Sequence, residues 1–191
     1  MTIRGILIVA GIFLGLFLVL FLGRCGYERL EIYQSLDSIA AHVRSEFPEV
    51  APIDGDTLQL YRENESGTLL VDVRSEEGYA ISHIPGALSL SSGEAIRQHV
   101  AESKVPIERI VVYGSVGTRS AEVIRDLGTV EGIRVFHLEG GLFRWANEGR
   151  ALVDASGEAA EKVHPYNSVW ARFLDEERRG ELPSEGDGDR E

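Results

Sequence analysis

Three short apolar runs set the frame for this chain: "TLLVDV" (68–73), "RIVVYG" (109–114) and "IRVFHL" (133–138). Each is rich in β-branched and aromatic residues and shorter than a typical helix, so each reads as a strand. Helical patterns lie between them, over about Gly93–Glu102 and Ser120–Leu127. Strands that alternate with helices imply a parallel sheet covered on both faces, so the expected fold class is α/β. In such sheets ligands bind beyond the carboxyl ends of the strands. The loop after Tyr113, "GSVGTRS", occupies that place.

The segment before the sheet carries Tyr33, Leu36, Ala40, Val43 and Phe47 three or four apart, which puts them on one helical face. Packing on its own domain is the expected use of that face, with a partner as the alternative. Pro48 and Pro52 end the helix, and Asp54 or Asp56 caps a short second one over about Thr57–Arg62. Beyond the sheet, in "VHPYNSVWARFLDEERRG", Asn167 or Ser168 is the expected N-cap and Gly180 the C-terminal stop. Trp170, Phe173 and Leu174 form its apolar face, for docking on the domain or on a partner.

Gly5 to Gly23 is an uncharged apolar run of the length a bilayer span needs, roughly 20 residues. It exceeds the usual signal-peptide core and no small-x-small site follows, so a single-pass anchor is expected rather than a cleaved leader. Arg4 stands on one side and Arg24 and Arg29 on the other, which leaves the orientation open. "LGRC" resembles a bacterial lipoprotein box, but Arg24 stands where a small residue is wanted. Cys25 is a free juxtamembrane thiol or an acylation site. It is the single cysteine of the 191 residues, which excludes an intramolecular disulfide and a cysteine metal cluster. The five histidines lack ligand spacing, so no metal is expected. The net charge of −12 argues against nucleic acid as a partner.

"LLVDVRSEEGYAISHIPGAL" resembles the opening signature of rhodanese-like domains, through Asp72, Arg74, Tyr79, His83, Ile84, Pro85, Gly86 and Ala87. "LEGGLFRWANEG" resembles the closing signature, through Leu138, Gly140, Gly141, Trp145 and Gly149. The resemblance spans about residues 50–152 and implies a five-stranded parallel sheet flanked by helices. It also implies a sulfurtransferase ancestry, in which a loop cysteine carries sulfane sulfur as a persulfide. That loop is commonly Cys-x-x-Gly-x-Arg followed by Ser. Here it is Gly114, Ser115, Val116, Gly117, Thr118, Arg119 and then Ser120, so the cysteine position falls on Gly114.

Without that sulfur no persulfide forms, and Ser115 or Ser120 does not replace it, because an alkoxide needs a base and would not carry sulfane sulfur. No catalytic residue is therefore assigned. The nest of backbone N–H groups at the start of the following helix does not depend on the lost side chain. Arg119 is expected to face the pocket and hold an anion. His83 is expected to make a structural hydrogen bond, and Trp145 to lie in the core with Leu142. Gly140 and Gly141 are expected to permit a tight strand-to-helix turn. Asp72 and Arg74 are expected to face opposite sides at a strand end, each tying down a loop. Gly78 stands where the family commonly has Glu, and Ala151 where it often has Pro.

The expected organisation is an anchor over 1–25, an amphipathic juxtamembrane helix over 26–49, and the rhodanese-like domain over 50–152. A C-terminal extension with a short helix over 153–179 and a disordered acidic tail over 180–191 complete it. The expected role is that of a membrane-anchored, catalytically silent module. Its expected partners are the bilayer through residues 5–23 and either a small oxyanion or a protein; no cofactor is implied. A sulfurtransferase that borrows a partner's thiol and a purely structural module are the alternatives.

Overall fold

Near-continuous apolar strands belong where both faces of a sheet are covered, and β2 (Thr68–Asp72) and β4 (Arg109–Tyr113) sit there. In the computed structural model, which describes residues 34–64 and 67–182, they pair at the centre of a five-stranded sheet of order β1-β5-β4-β2-β3. All its pairings are parallel. β5 (Arg134–Leu138) lies on the other side of β4. The edges are β1 (Ala51–Ile53) and β3 (Leu88–Ser89), both very short. Pro52 is tolerated in β1 because an edge strand pairs on one side only.

Helices α1 (Leu36–Glu46), α2 (Gly55–Asn64), α3 (Glu76–Ile81), α4 (Gly93–Glu102), α5 (Thr118–Leu127) and α6 (Gly141–Asn147) connect and cover the sheet. Tyr61 of α2 meets Phe136 of β5, with ring centroids 6.1 Å apart. His137, the next residue of β5, lies beside Gly117 at the start of α5. Alternation along a strand therefore places α2 and α5 on opposite faces. The first helix starts at a reciprocal Ser35–Ser38 capping box and buries Ile39, Val43 and Phe47 in the sheet's own core. Asp54 caps α2, its carboxylate accepting from the Thr57 N–H at 2.8 Å; the Thr57 hydroxyl first, and then that N–H, hold its pKa below the usual carboxylate value.

The chain beyond α6 folds back onto this unit. A small antiparallel pair, β6 (Leu152–Val153) with β7 (Ala159–Ala160), leads to the short helix α7 (Ser168–Ala171) and a 3₁₀ turn over Glu176–Arg178. Asn167 is the cap of α7, but Gly180 is not the stop of a longer helix. After Arg172 the chain turns to bury Phe173 and Leu174, and Gly180 donates instead to the Val163 carbonyl at 2.9 Å. Asn147 of α6 fixes the break, giving its amide to Phe173 O (2.8 Å) and its carbonyl to the Asp175 N–H (3.0 Å). Among the described residues no helix is long and apolar enough to cross a membrane. The anchor expected over 5–23, Cys25 and residues 183–191 of the expected tail lie outside them.

Candidate functional site

At the carboxyl ends of the central strands, Asp72 and Tyr113 stand in register, and Val73 donates to the Tyr113 carbonyl at 3.0 Å. The next residue, Gly114, opens the loop. Gly117 ends it in the left-handed region, at φ 110°, as the residue before α5. That conformation is open to glycine at little cost and turns the chain sharply from strand to helix. Ser120 locks the turn, its hydroxyl donating to Gly117 O at 2.8 Å. None of the amides of Ser115 to Ser120 donates to a backbone carbonyl among the described residues. The first turn of a ten-residue helix and the loop before it thus leave a group of donors for whatever the loop holds.

The carbonyls of the loop, by contrast, are fastened from behind. Gly140 and Gly141 carry the chain from β5 into α6 at φ 74° and 57°. The first N–H groups of α6 then reach the loop: Leu142 donates to Gly114 O at 2.9 Å and Phe143 to Ser115 O at 3.0 Å. A Cβ on Gly141 would collide with the Gly114 carbonyl oxygen and stand 2.6 Å from that of Ser115. The paired glycines therefore serve the turn and also the close approach of loop to helix. Gly114 is different. A Cβ there would lie 3.7 Å from Arg119 Cβ and Val73 Cγ2 and 3.8 Å from Ser120 N, ordinary contact distances.

Arg74 and Asp72 do not face opposite sides, as the sequence reading has them. Residues two apart along an extended chain share a face, and the Arg74 guanidinium grips the Asp72 carboxylate through Nε (3.0 Å) and Nη2 (2.7 Å). Both are buried, and Arg74 also donates to Ser82 O at 2.6 Å. Burial first, and then the Asp72 charge, hold the Tyr113 hydroxyl well above its usual pKa; it accepts from the Ile84 N–H at 3.1 Å. This network ties the ends of β2 and β4 to the turn at 84–87. There Ala87 donates to Ile84 O, with Pro85 second and Gly86 third at φ 78°, the pattern of a type II turn.

The other residues singled out from sequence fall into place around this frame. His83 makes a structural contact: Nδ1 lies 2.9 Å from Tyr79 O, and its ring stacks on Tyr79 at 3.8 Å. Trp145 is buried and donates to Ala151 O at 2.9 Å. Arg119 spans the rim. Its Nε donates to Val73 O (3.2 Å) and its Nη2 to Ser91 O (3.4 Å), so it braces α5 against the ends of neighbouring strands while its charge stays beside the loop.

Gly114, Ser115, Val116, Thr118 and Arg119 of the loop line a cleft of about 250 Å³ together with Arg74, Glu122, Tyr166 and Trp170, whereas Gly117 and Ser120 stand outside its lining. The sequence reading does not place Tyr166, Trp170 or Glu122 here. Trp170 had a signal as part of an apolar face. Tyr166 had none, because nothing in its neighbours announces its positive φ of 71°.

A sequence profile of the rhodanese-like domain matches residues 56–148. A sulfurtransferase of Allochromatium vinosum is 31% identical over 112 residues, covering 56% of this chain and 99% of that protein. Among solved structures, the thiosulfate sulfurtransferase of Pseudomonas aeruginosa superposes with a TM-score of 0.53 at 20% identity. That match takes in 64% of this chain but only 23% of the Pseudomonas enzyme's length, and it speaks for the fold alone. A rhodanese-like domain from Anabaena, solved by solution NMR, is 25% identical over 54% of this chain and 78% of its own, with a TM-score of 0.46. With the rhodanese-like profile matched over 56–148 and the Allochromatium sulfurtransferase matched almost from end to end, the chain belongs to the rhodanese-like domain family.

Proposed function

We propose that this chain is a membrane-tethered rhodanese-like module that holds a small oxyanion at the loop 114–120 and performs no sulfur transfer by itself. The observation that carries the reading is the loop's shape. The carbonyls of Gly114 and Ser115 are fixed on α6, the amides of Ser115 to Ser120 make no backbone hydrogen bond among the described residues, and the first position of the loop bears glycine. By the family resemblance, position 114 is where the persulfide-carrying cysteine would stand, and glycine supplies no nucleophile. Backbone donors at the start of a helix favour an anion there, and the Arg119 charge adds to their field. The tether is the uncharged run over 5–23, long enough for a bilayer.

The test is thiosulfate-to-cyanide sulfur transfer by the full-length chain and by its Gly114→Cys variant. Turnover is expected from the variant alone, because a thiol at 114 would have room and its thiolate would meet the same amide field. Sulfur transfer by the unmodified chain would overturn the reading. One feature favours a second reading, in which a partner's thiol enters from outside: the space at Gly114 opens onto the cleft. That reading predicts turnover by the unmodified chain only when a cysteine-bearing protein is added.

A further inference from the structure

The cleft above the loop has two unlike sides. One part is the loop with its amides and arginines: Gly114, Ser115, Val116, Thr118 and Arg119, with Arg74. The other part is aromatic, supplied by Tyr166 and Trp170, and both come from the extension beyond α6. That extension is no loose appendage. Val153 exchanges both backbone hydrogen bonds with His83, Val163 and Leu174 are buried in the main core, and Asn147 holds the turn at Phe173–Asp175.

Tyr166 is held in place at a conformational cost. Asn167 donates to Pro165 O at 2.9 Å, closing a three-residue turn whose central residue is Tyr166 at φ 71°. A γ-turn with positive central φ is rare and strained for a residue with a side chain. Asn167 then caps α7 by accepting from Val169 N (2.9 Å) and Trp170 N (3.0 Å), so one residue fixes the start of the helix that carries Trp170. Trp170 is in turn packed against Phe173, with centroids 5.8 Å apart. The result is two half-buried aromatic residues lining the same cleft as the loop.

A bare tetrahedral oxyanion has few atoms and no use for an aromatic wall. The cleft, at about 250 Å³, approaches the roughly 300 Å³ at which sites for small organic ligands begin. We infer that the ligand is an organic anion: one tetrahedral oxyanion head on the loop amides, joined to a flat, uncharged apolar body that packs on Tyr166 and Trp170. The inference rests on the oxyanion reading of the loop and adds the body. Glu122 also lines the cleft. Its carboxylate disfavours a second negative charge on the ligand, so the body is neutral.

The test uses the full-length chain in detergent and four probes, sulfate, methanesulfonate, benzenesulfonate and 1,3-benzenedisulfonate, titrated by calorimetry. Benzenesulfonate is expected to bind about tenfold more tightly than methanesulfonate, the scale of a favourable aromatic contact. 1,3-Benzenedisulfonate is expected to bind more weakly than benzenesulfonate. Trp170→Ala is expected to remove the benzenesulfonate advantage and leave methanesulfonate binding unchanged. Tyr166→Gly relieves the strained φ, so its melting temperature is expected to hold while the same advantage shrinks; this separates loss of the wall from loss of the fold.

Equal binding of the two monosulfonates would overturn the aromatic-body inference and leave the oxyanion reading standing. So would a benzenesulfonate advantage that survives both variants. Failure of all the probes to bind would overturn the oxyanion reading itself, and this one with it.

Discussion

Arg74 is buried with Asp72, and the two charges satisfy one another at the ends of the central strands. Removing one partner leaves the other charge out of water without a counter-ion, which costs about 3–5 kcal/mol. Arg74→Met is therefore expected to lower unfolding free energy by that amount in denaturant titration. Arg74→Met combined with Asp72→Asn should lose clearly less than the sum of the two single changes, because the residues form one unit. The glycines of the site divide in the same way. Gly141→Ala forces a Cβ into the carbonyls of 114 and 115 and should cost at least ~2 kcal/mol. Gly114→Ala meets only ordinary contacts and should leave the melting curve nearly unmoved.

At the scale of elements, how far the fold can be read depends on who supplies the information. β2, β4 and β5 announce themselves because buried parallel strands need long apolar runs, and their bounds fall within a residue or two of the reading. β1 and β3 do not, since Ala51–Ile53 and Leu88–Ser89 are held in register by β5 and β2 rather than by a pattern of their own. The loop 114–120 was legible by its spacing and its place after β4; the aromatic wall was not. Its position depends on contacts far apart in sequence, above all the two hydrogen bonds of Asn147 to the turn at 173–175. Asn147→Ala leaves a carbonyl and an amide there without those partners, at about 1–3 kcal/mol. Hydrogen exchange should locate that loss in the extension, with residues 153–180 opening before the central strands do.

Across the whole molecule, acid is the condition that tests the site's foundations. His137 is buried beneath the loop, and its Nδ1 has no hydrogen-bond partner among the described residues. Burial holds its pKa down at about 4; Glu139 opposes that effect and Arg44, paired with Glu139, assists it. The unfolded chain takes up this proton near pH 6.5, whereas the folded chain does so only near 4. Stability from this group is thus complete above about pH 6.5 and is lost as pH falls towards 4, by at most about 3 kcal/mol. Unfolding free energies measured across pH 4 to 7 should show that slope. In His137→Leu it should flatten.

The space at Gly114 has a consequence for how such a chain can change over generations. The backbone there is anchored through its carbonyl to α6, and a Cβ would find ordinary neighbours. A side chain gained or lost at that position alters what the loop can react with and leaves the fold's stability almost where it was. Where the glycine codon ends in a pyrimidine, one base separates it from cysteine. Forms of the loop with and without a thiol are then adjacent in sequence space, with no unstable intermediate between them, and selection can move a lineage across that step in either direction.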